Sequence, residues 1–455
     1  MKTINKSILP SILISGLILL ASCEGLLDPE PTTGVGSERS IYDRQSANTV
    51  LSGTYYLLSS SGYYGLNYNF IPFLFADNVG FVGIQTYYKI FVRNNGYGET
   101  SLQSDNSALS SVWSAVYRTI NNANNLIAKV DKVDDPDFTR EERDRILGQA
   151  YFIRALAYFD LTRYWGGVQI VLTPTTSPDG VNGIKRSSLE ETYAQIAGDL
   201  LRAEELLKAT DSRIYADLGA AQALSARFNL YRKDWAKAES YSSLLIANEK
   251  YEPVKPYSVS FTTKLSRESI FELAYTTSNA NPSALWWQPA ELGGRYEVTF
   301  NDEVTALLED ESIGGERADI VAVTEKGGLR YNAKYWRAGR DDPGSVLRIA
   351  EQYLIRAEAR VRQGDLAGGL DDINKIRERA GVPPLAIGEY NTAGKVLLAV
   401  EDEWRLEFPD DGHRFFNLAR TGRLGAVLGE VEGYLFPIPI DELNKDEALE
   451  PNPSN

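Results

Sequence analysis

The sequence predicts an all-α fold of packed helical hairpins with a loop-rich face that carries short strands. Three observations predict it. Apolar residues recur at spacings of three and four through one stretch after another, and two of those stretches open with a Ser/Thr-x-x-Glu capping box. Two long segments, about 60–105 and 250–345, break that pattern and hold most of the Gly, Asn and Tyr.

The chain opens with Lys2 and Lys6, followed by an apolar run from Ile8 to Leu20 that Pro10, Ser11, Ser15 and Gly16 interrupt. That run is a signal-peptide core, too short and too broken to span a bilayer as a helix. It ends in Leu20-Ala21-Ser22-Cys23, which resembles the lipobox of bacterial lipoproteins and implies cleavage before Cys23 and acylation of that residue. Residues 1–22 then read as a lipoprotein signal peptide. Residues 23–40, rich in Pro, Gly, Ser and acid, read as a lipid-anchored flexible tether. Residues 41–455 read as a single helical domain. No later segment reaches the roughly 18 apolar residues of a spanning helix, so the lipid is the predicted anchor.

Helices are predicted from Ile41 to Leu58 and from Ser107 to Val130, the second with Leu109, Val112, Val116, Ile120 and Ile127 on one face. Residues 139–165 begin with the capping pair Thr139 and Glu142 and carry apolar residues on two faces, which places this helix centrally. Residues 188–208 begin with a second capping pair, Ser188 and Glu191. Two later stretches, around Asp234 and around Asp365, read as copies of one hairpin. Each has a turn ending in Asp and then a small residue, Ala238 or Gly369, where close helix packing needs it, and each resembles a tetratricopeptide hairpin. Ser269 to Ala274 is a short apolar run of strand character within the second loop-rich segment.

Composition removes whole classes of chemistry. The 455 residues include one His, one Cys and one Met, so disulfide frameworks, Cys-ligated metals and the H-E-x-x-H helix are excluded by counting. Asp and Glu number 62 against 47 Lys and Arg, a net charge of -15 without basic clustering, which argues against nucleic acid. Tyr, at 26, and Trp, at 7, are plentiful, so aromatic contact surface exceeds nucleophiles and metal ligands. His413, the sole imidazole, reads as a packing residue rather than a catalytic base. Glu351, Glu358, Glu403 and Glu407 have the residue type of a glycosidase pair, yet spacings of four and seven on helices equally make salt-bridged faces. Asp371 and Asp372 lack the alternating oxygen ligands and Gly of a calcium loop. Neither a metal nor a cofactor is predicted.

Four separated motifs carry a family resemblance: residues 148–171 (GQAYFIRALAYFDLTRYWGGVQIV), residues 347–382, the stretch Glu403 to Arg420, and the tail from Pro437-Ile438-Pro439 through Glu442 to Asn452-Pro453. With the lipobox they resemble, in order, the SusD/RagB family of outer-membrane nutrient-binding lipoproteins of Bacteroidetes. The sequence departs from the family pattern at Pro409 and Asp410, which replace an apolar pair, and at Asn417, where Asp is usual. The resemblance implies a SusD-like α-helical superhelix of four tetratricopeptide-like units with a variable loop-rich face. It further implies a surface-exposed outer-membrane protein that is not an enzyme. Such a protein captures glycan oligomers, or in some members peptides, and delivers them to a TonB-dependent (SusC-like) transporter. Two alternatives are a lipid-anchored glycoside hydrolase and a helical-repeat scaffold that binds only protein.

Ligand-binding candidates follow from loop placement and chemistry. Sugar rings present C–H faces that stack on aromatic planes, while their hydroxyls need carboxylates, amides and guanidinium groups at the edge. Trp286 and Trp287 lie in NANPSALWWQPAELGG, which shows no helical or strand period. Tyr63, Tyr64, Tyr68, Tyr87, Tyr88 and Tyr97 lie in the first loop-rich segment with Asp77, Asn78, Arg93 and Asn94. Trp165, Trp235 and Trp404 fall at helical core spacing and read as scaffold.

Overall fold

The computed structural model describes residues 40–82, 104–177, 182–429 and 435–452. Cys23 and the tether lie outside the described residues, as do Tyr87, Tyr88, Arg93, Asn94 and Tyr97. From Ile41 onward the chain forms one compact unit.

The helices that matter below are α1 (Arg44–Leu58), α2 (Asn67–Phe75), α3 (Ser107–Lys129), α4 (Arg140–Trp165), α5 (Leu189–Leu206), α6 (Leu218–Tyr231) and α7 (Trp235–Ile246), then α8 (Pro282–Trp287), α9 (Asp302–Glu309), α10 (Ile349–Arg362), α11 (Leu366–Ala380), α12 (Ala393–Glu407) and α13 (His413–Arg420). They stack in a continuous run: α1 on α3, α3 on α4, α4 on α5, α5 on α6, α6 on α7, α7 on α10, and α10 on both α11 and α12. This is the all-α superhelix of hairpins that the sequence predicts. The capping boxes open α4 and α5 as expected, with the Glu142 and Glu191 N–H groups each donating to the Thr139 or Ser188 hydroxyl at 3.2 Å.

Helix α4 is central, with Phe152, Ile153, Leu156, Phe159, Leu161, Tyr164 and Trp165 all buried. A helix so enclosed must satisfy its polar groups internally. Arg154 does so by holding Asp199 of α5 bidentately at 2.7 and 2.8 Å while its third donor reaches Asn124 Oδ1 of α3 at 2.8 Å, which locks three helices together. The C-terminal tail docks on the end of the same helix, where Trp165 Nε1 donates to the Pro437 carbonyl at 2.8 Å and Asn452 Nδ2 donates to the Phe436 carbonyl at 2.6 Å.

The two hairpin copies share one backbone solution. Asp234 (φ −83°, ψ 77°) and Asp365 (φ −87°, ψ 81°) cap α7 and α11, accepting from the N–H groups of Lys237 and Gly368. Each follows a residue in the left-handed region, Lys233 at φ 61° and Gly364 at φ 95°. A Cβ on Gly369 would lie 2.4 Å from Val361 Cγ2, so only glycine lets α11 sit this close to α10.

Strands occur as three antiparallel pairs: β1 (Val79–Phe81) with β3 (Val298–Phe300), β2 (Ser269–Leu273) with β6 (Gly344–Arg348), and β4 (Val321–Val323) with β5 (Arg330–Asn332). Val79 faces Phe300, which ties the first loop-rich segment to the second. Residues 250–345 are thus more ordered than the sequence predicts, holding α8, α9 and most of the strands. Elements of three to eight residues complete too few periods for a pattern to register.

Candidate functional site

The tryptophans singled out from sequence are platform rather than surface. Asn281 caps α8 by accepting from the Ser283 N–H, and Pro282 supplies the first helical residue, so Trp286 and Trp287 sit in a short helix and not in an irregular stretch. Trp287 is fully buried, 5.8 Å from the Phe73 ring, 5.1 Å from Phe300 and 6.3 Å from Tyr335. Trp286 is buried 5.9 Å from Phe70, and the Arg295 guanidinium lies 5.5 Å over its ring. The expectation that this stretch exposes aromatic faces is corrected: α2 supplies Phe70 and Phe73 as a lid, which no local pattern reveals. Gly294 allows the chain to fold back over this helix, since a Cβ there would lie 2.0 Å from the Gln288 carbonyl oxygen.

What the platform holds out is Trp336. Gln288, just after α8, donates from Nε2 to the carbonyls of Tyr335 at 2.9 Å and Arg337 at 3.3 Å, one on each side of Trp336. At the other end of the helix, Asn281 takes the Arg340 carbonyl through its backbone N–H at 2.6 Å and the Asp342 carbonyl through Nδ2 at 3.0 Å. The segment 335–342 is thereby clamped twice by residues flanking one six-residue helix. Trp336 is 49% exposed, and its neighbour Arg337 places a guanidinium 4.9 Å from its ring centroid. Arg337 is itself fixed by Asp342 Oδ1 at 3.0 Å and the Thr262 carbonyl at 2.5 Å. A half-exposed indole on a rigid mount, with one cation against it and the exposed Arg295 on the same platform, has the chemistry to stack on the C–H face of a sugar ring. The sequence reading passed over Trp336. The signal was present in NAKYWRAGRDDPG, a Gly- and Pro-containing stretch with Lys334, Arg337 and Arg340 around an aromatic residue.

The first loop-rich segment divides. Tyr63 and Tyr64 are buried, against the expectation of ligand-facing rings. Asp160 of α4 is fully enclosed and needs donors: the Tyr63 hydroxyl supplies one at 2.6 Å, the Tyr68 hydroxyl one at 2.5 Å, and Arg163 one at 2.6 Å. Tyr64 packs 4.9 Å from Tyr63 and 4.8 Å from Tyr68. Asp77 receives Arg414 bidentately at 2.8 and 3.0 Å and lies 3.2 Å from Arg405. Burial raises its pKa, but the two guanidinium groups outweigh that and hold the carboxyl below its usual range. Asn78 is buried as well, accepting from Arg405 Nε at 2.9 Å. Asp77 and Asn78 therefore tie the third motif to this segment, Asn78 fully buried and Asp77 partly exposed. The Val82 N–H donates to the Glu297 carbonyl at 2.8 Å, nine positions beyond Gln288. Tyr87, Tyr88, Arg93 and Tyr97 follow in sequence.

The four glutamates are charge-paired. Glu351 is held by Arg227 at 2.5 and 2.7 Å and Glu358 by Arg420 at 2.7 and 3.0 Å. Glu403 lies 2.6 Å from both Arg317 and Arg377, and Glu407 lies 2.5 Å from both Arg348 and Arg379. Burial raises the Glu407 pKa, but Arg379, Arg348 and Arg317 override it and hold the carboxyl at about 2. A carboxylate so stabilised is a poor proton donor, the opposite of what a general acid requires. Asp372 is likewise taken up by Arg356 and Arg360, whereas Asp371 is exposed. His413 is buried between the Trp404 and Phe408 rings, each at 5.1 Å, and burial together with the surrounding arginines pushes its pKa well below 6.5. Asp410, a departure from the family pattern, accepts from Asn332 Nδ2 at 2.7 Å and pairs with Lys334 at 3.4 Å.

Residues 287–433 match the profile of the SusD family, and residues 79–230 match a second described as starch-binding, associating with outer membrane. The chain belongs to the SusD/RagB family. SusD-like proteins of Formosa agariphila align over nearly their whole length, one at 24% identity covering 98% of both chains. The starch-binding protein SusD of Bacteroides thetaiotaomicron is 35% identical over 125 residues, which is 24% of this chain and 20% of that protein. Among solved structures, a SusD superfamily protein of Bacteroides vulgatus superposes with a TM-score of 0.78 at 23% identity, covering 91% of this chain and 99% of that one. A laminarin-binding SusD-like protein superposes with a TM-score of 0.76 at 21% identity over 91% of this chain and all of that one. The SusD superhelix is therefore the scaffold on which the Trp336 platform sits. No described helix is long and apolar enough to cross a membrane.

Proposed function

We propose that this protein is a non-catalytic, cell-surface nutrient-binding lipoprotein of the outer membrane. It captures oligosaccharides and passes them to a partner TonB-dependent (SusC-like) transporter. The observation that carries the reading is Trp336, half-exposed and doubly clamped on the loop-rich face of a SusD scaffold. Support for a glycan comes from the likeness to laminarin-binding and starch-binding relatives, and support for the outer membrane from the description of the matched family profile. Cys23 at the end of a lipobox supports the lipid anchor, with residues 23–40 as tether and residues 41–455 as the binding domain. In this reading Tyr87, Tyr88, Tyr97 and Arg93 contribute ligand contacts in addition to Trp336. The arginine pairing of Glu351, Glu358, Glu403 and Glu407 supports binding without turnover. The test is calorimetric titration of the full chain in detergent with laminarihexaose and maltohexaose, followed by product analysis. Saturable binding of an oligosaccharide with no new reducing ends is expected. Sustained hydrolysis by pure protein would replace this reading with a glycoside hydrolase.

A further inference from the structure

A second cavity, sharing no lining residue with the Trp336 platform, lies between α10, α12 and α13. Its volume is about 330 Å³, enough for one or two sugar rings. Two of its lining residues hold donors that the fold leaves unused. Trp404 and Asn417 are each only 5% exposed, and Trp404 Nε1 and Asn417 Nδ2 have no hydrogen-bond partner among the described residues. Asn417 is not free to reorient, because its Oδ1 accepts from Arg420 Nε at 2.8 Å and so fixes which end is the amide nitrogen. Two buried N–H groups without acceptors in one cavity are costly unless an acceptor from outside meets them.

The charge around the cavity sets the kind of acceptor. Arg362, Arg420 and Arg423 line it against two carboxylates, Glu358 and Glu401, and Glu401 is further shared with Arg414 at 3.3 Å. The excess is cationic, and the Arg362 and Arg423 side chains are each more than a third exposed at the rim. Leu397 and the exposed Leu398 add an apolar wall, and Thr421 adds a hydroxyl. A second hollow of about 430 Å³ shares Arg362, Arg420 and Thr421 and continues to Lys233 and Trp235, so the site is elongated. Arg362 stacks 5.4 Å from the Trp235 ring where the two hollows meet.

We propose that this cavity binds a short acidic oligosaccharide, a uronate carboxylate meeting the orphan N–H groups of Trp404 and Asn417 and the rim arginines. The sugar's hydroxyls donate to Glu401 and to Thr421 Oγ1, whose own proton goes to the Asn417 carbonyl at 2.7 Å, and its C–H face finds the leucine wall. A peptide carboxylate satisfies the same donors but leaves these hydroxyl partners unmatched.

The test is calorimetric titration of the full chain in detergent with trigalacturonate, maltotriose and N-acetyl-trialanine, together with thermal melts of each variant. Trigalacturonate should bind in preference to the other two. Asn417→Asp, nearly isosteric, exchanges a donor for a negative charge and should weaken trigalacturonate at least about tenfold. Trp404→Phe keeps the ring but removes the N–H, and Arg423→Gln removes rim charge on an exposed side chain; both should weaken it severalfold. No detectable binding of trigalacturonate at millimolar concentration overturns the proposal, as does equal binding of maltotriose. Tighter binding of the tripeptide assigns the cavity to peptide ends instead. Parent affinity in both Asn417→Asp and Arg423→Gln places trigalacturonate elsewhere and also overturns it.

Discussion

Gln288 donates its side-chain amide to the Tyr335 carbonyl at 2.9 Å, so the residue that follows a buried tryptophan pair fixes the backbone beside an exposed tryptophan 48 positions further on. The buried pair and the exposed ring are one device: the first sets the mount, the second meets solvent.

Replacing Trp336 with Ala should weaken oligosaccharide binding by about tenfold to a hundredfold, the cost of one stacked ring in a partly exposed site, with little change in melting temperature. Trp287→Ala should do the reverse, removing roughly 3 to 5 kcal/mol of stability because a cavity replaces a fully packed indole. Titration and a melt on each variant check both. A large melting shift for Trp336→Ala with unchanged affinity would return that residue to the scaffold.

Gly369→Ala should lower stability by roughly 1 to 3 kcal/mol, since its Cβ would stand 2.4 Å from Val361 Cγ2. Adding Val361→Ala should recover part of the loss. Denaturant melts of the single and double variants measure the coupling, and strict additivity would mean that α11 tolerates the shift by other means.

Acid should destabilise the fold in two steps. His413 is held below its ordinary 6.5, so the unfolded chain takes up this proton first and stability falls as pH drops through 6.5, by about 1.4 kcal/mol per unit for one proton. His413→Phe keeps the ring packing and should remove that component of the slope between pH 6.5 and 5 relative to the parent. Glu407, held near 2 against 4.5 for a free carboxyl, contributes stability that is fully present above 4.5 and fades as pH falls toward 2, on the order of 3 kcal/mol in total. Glu407→Gln should flatten the acid limb below pH 4.5; an unchanged limb would mean that its arginine partners rearrange on unfolding less than the pairing implies.

Cys23→Ala should leave a folded protein that no longer fractionates with membranes when expressed without its transporter, because the rest of the sequence holds no other predicted anchor. Retention in the outer membrane under those conditions would mean that the lipobox reading is mistaken.

The sequence alone determined the long helices α1, α3, α4 and α5, the caps of α4 and α5, the paired hairpins at Asp234 and Asp365 and the family, because these rest on contacts between residues three or four apart or on contiguous motifs. Helix spacing and an N-cap are properties of one turn of chain, and they survive into the fold almost residue for residue. Tertiary structure alone decided which aromatics face solvent and which carboxylates carry free charge. Trp287 and Trp336 sit in similar local sequence, yet one is covered by Phe73 and Phe300 and the other is not, and that cover comes from α2 and β3, remote in the chain. Glu407 finds its arginines at positions 317, 348 and 379. Burial is a sum over neighbours that only folding brings together, so exposure of a ring and pairing of a charge could be read from the structure and not from the spacing of residues along the chain.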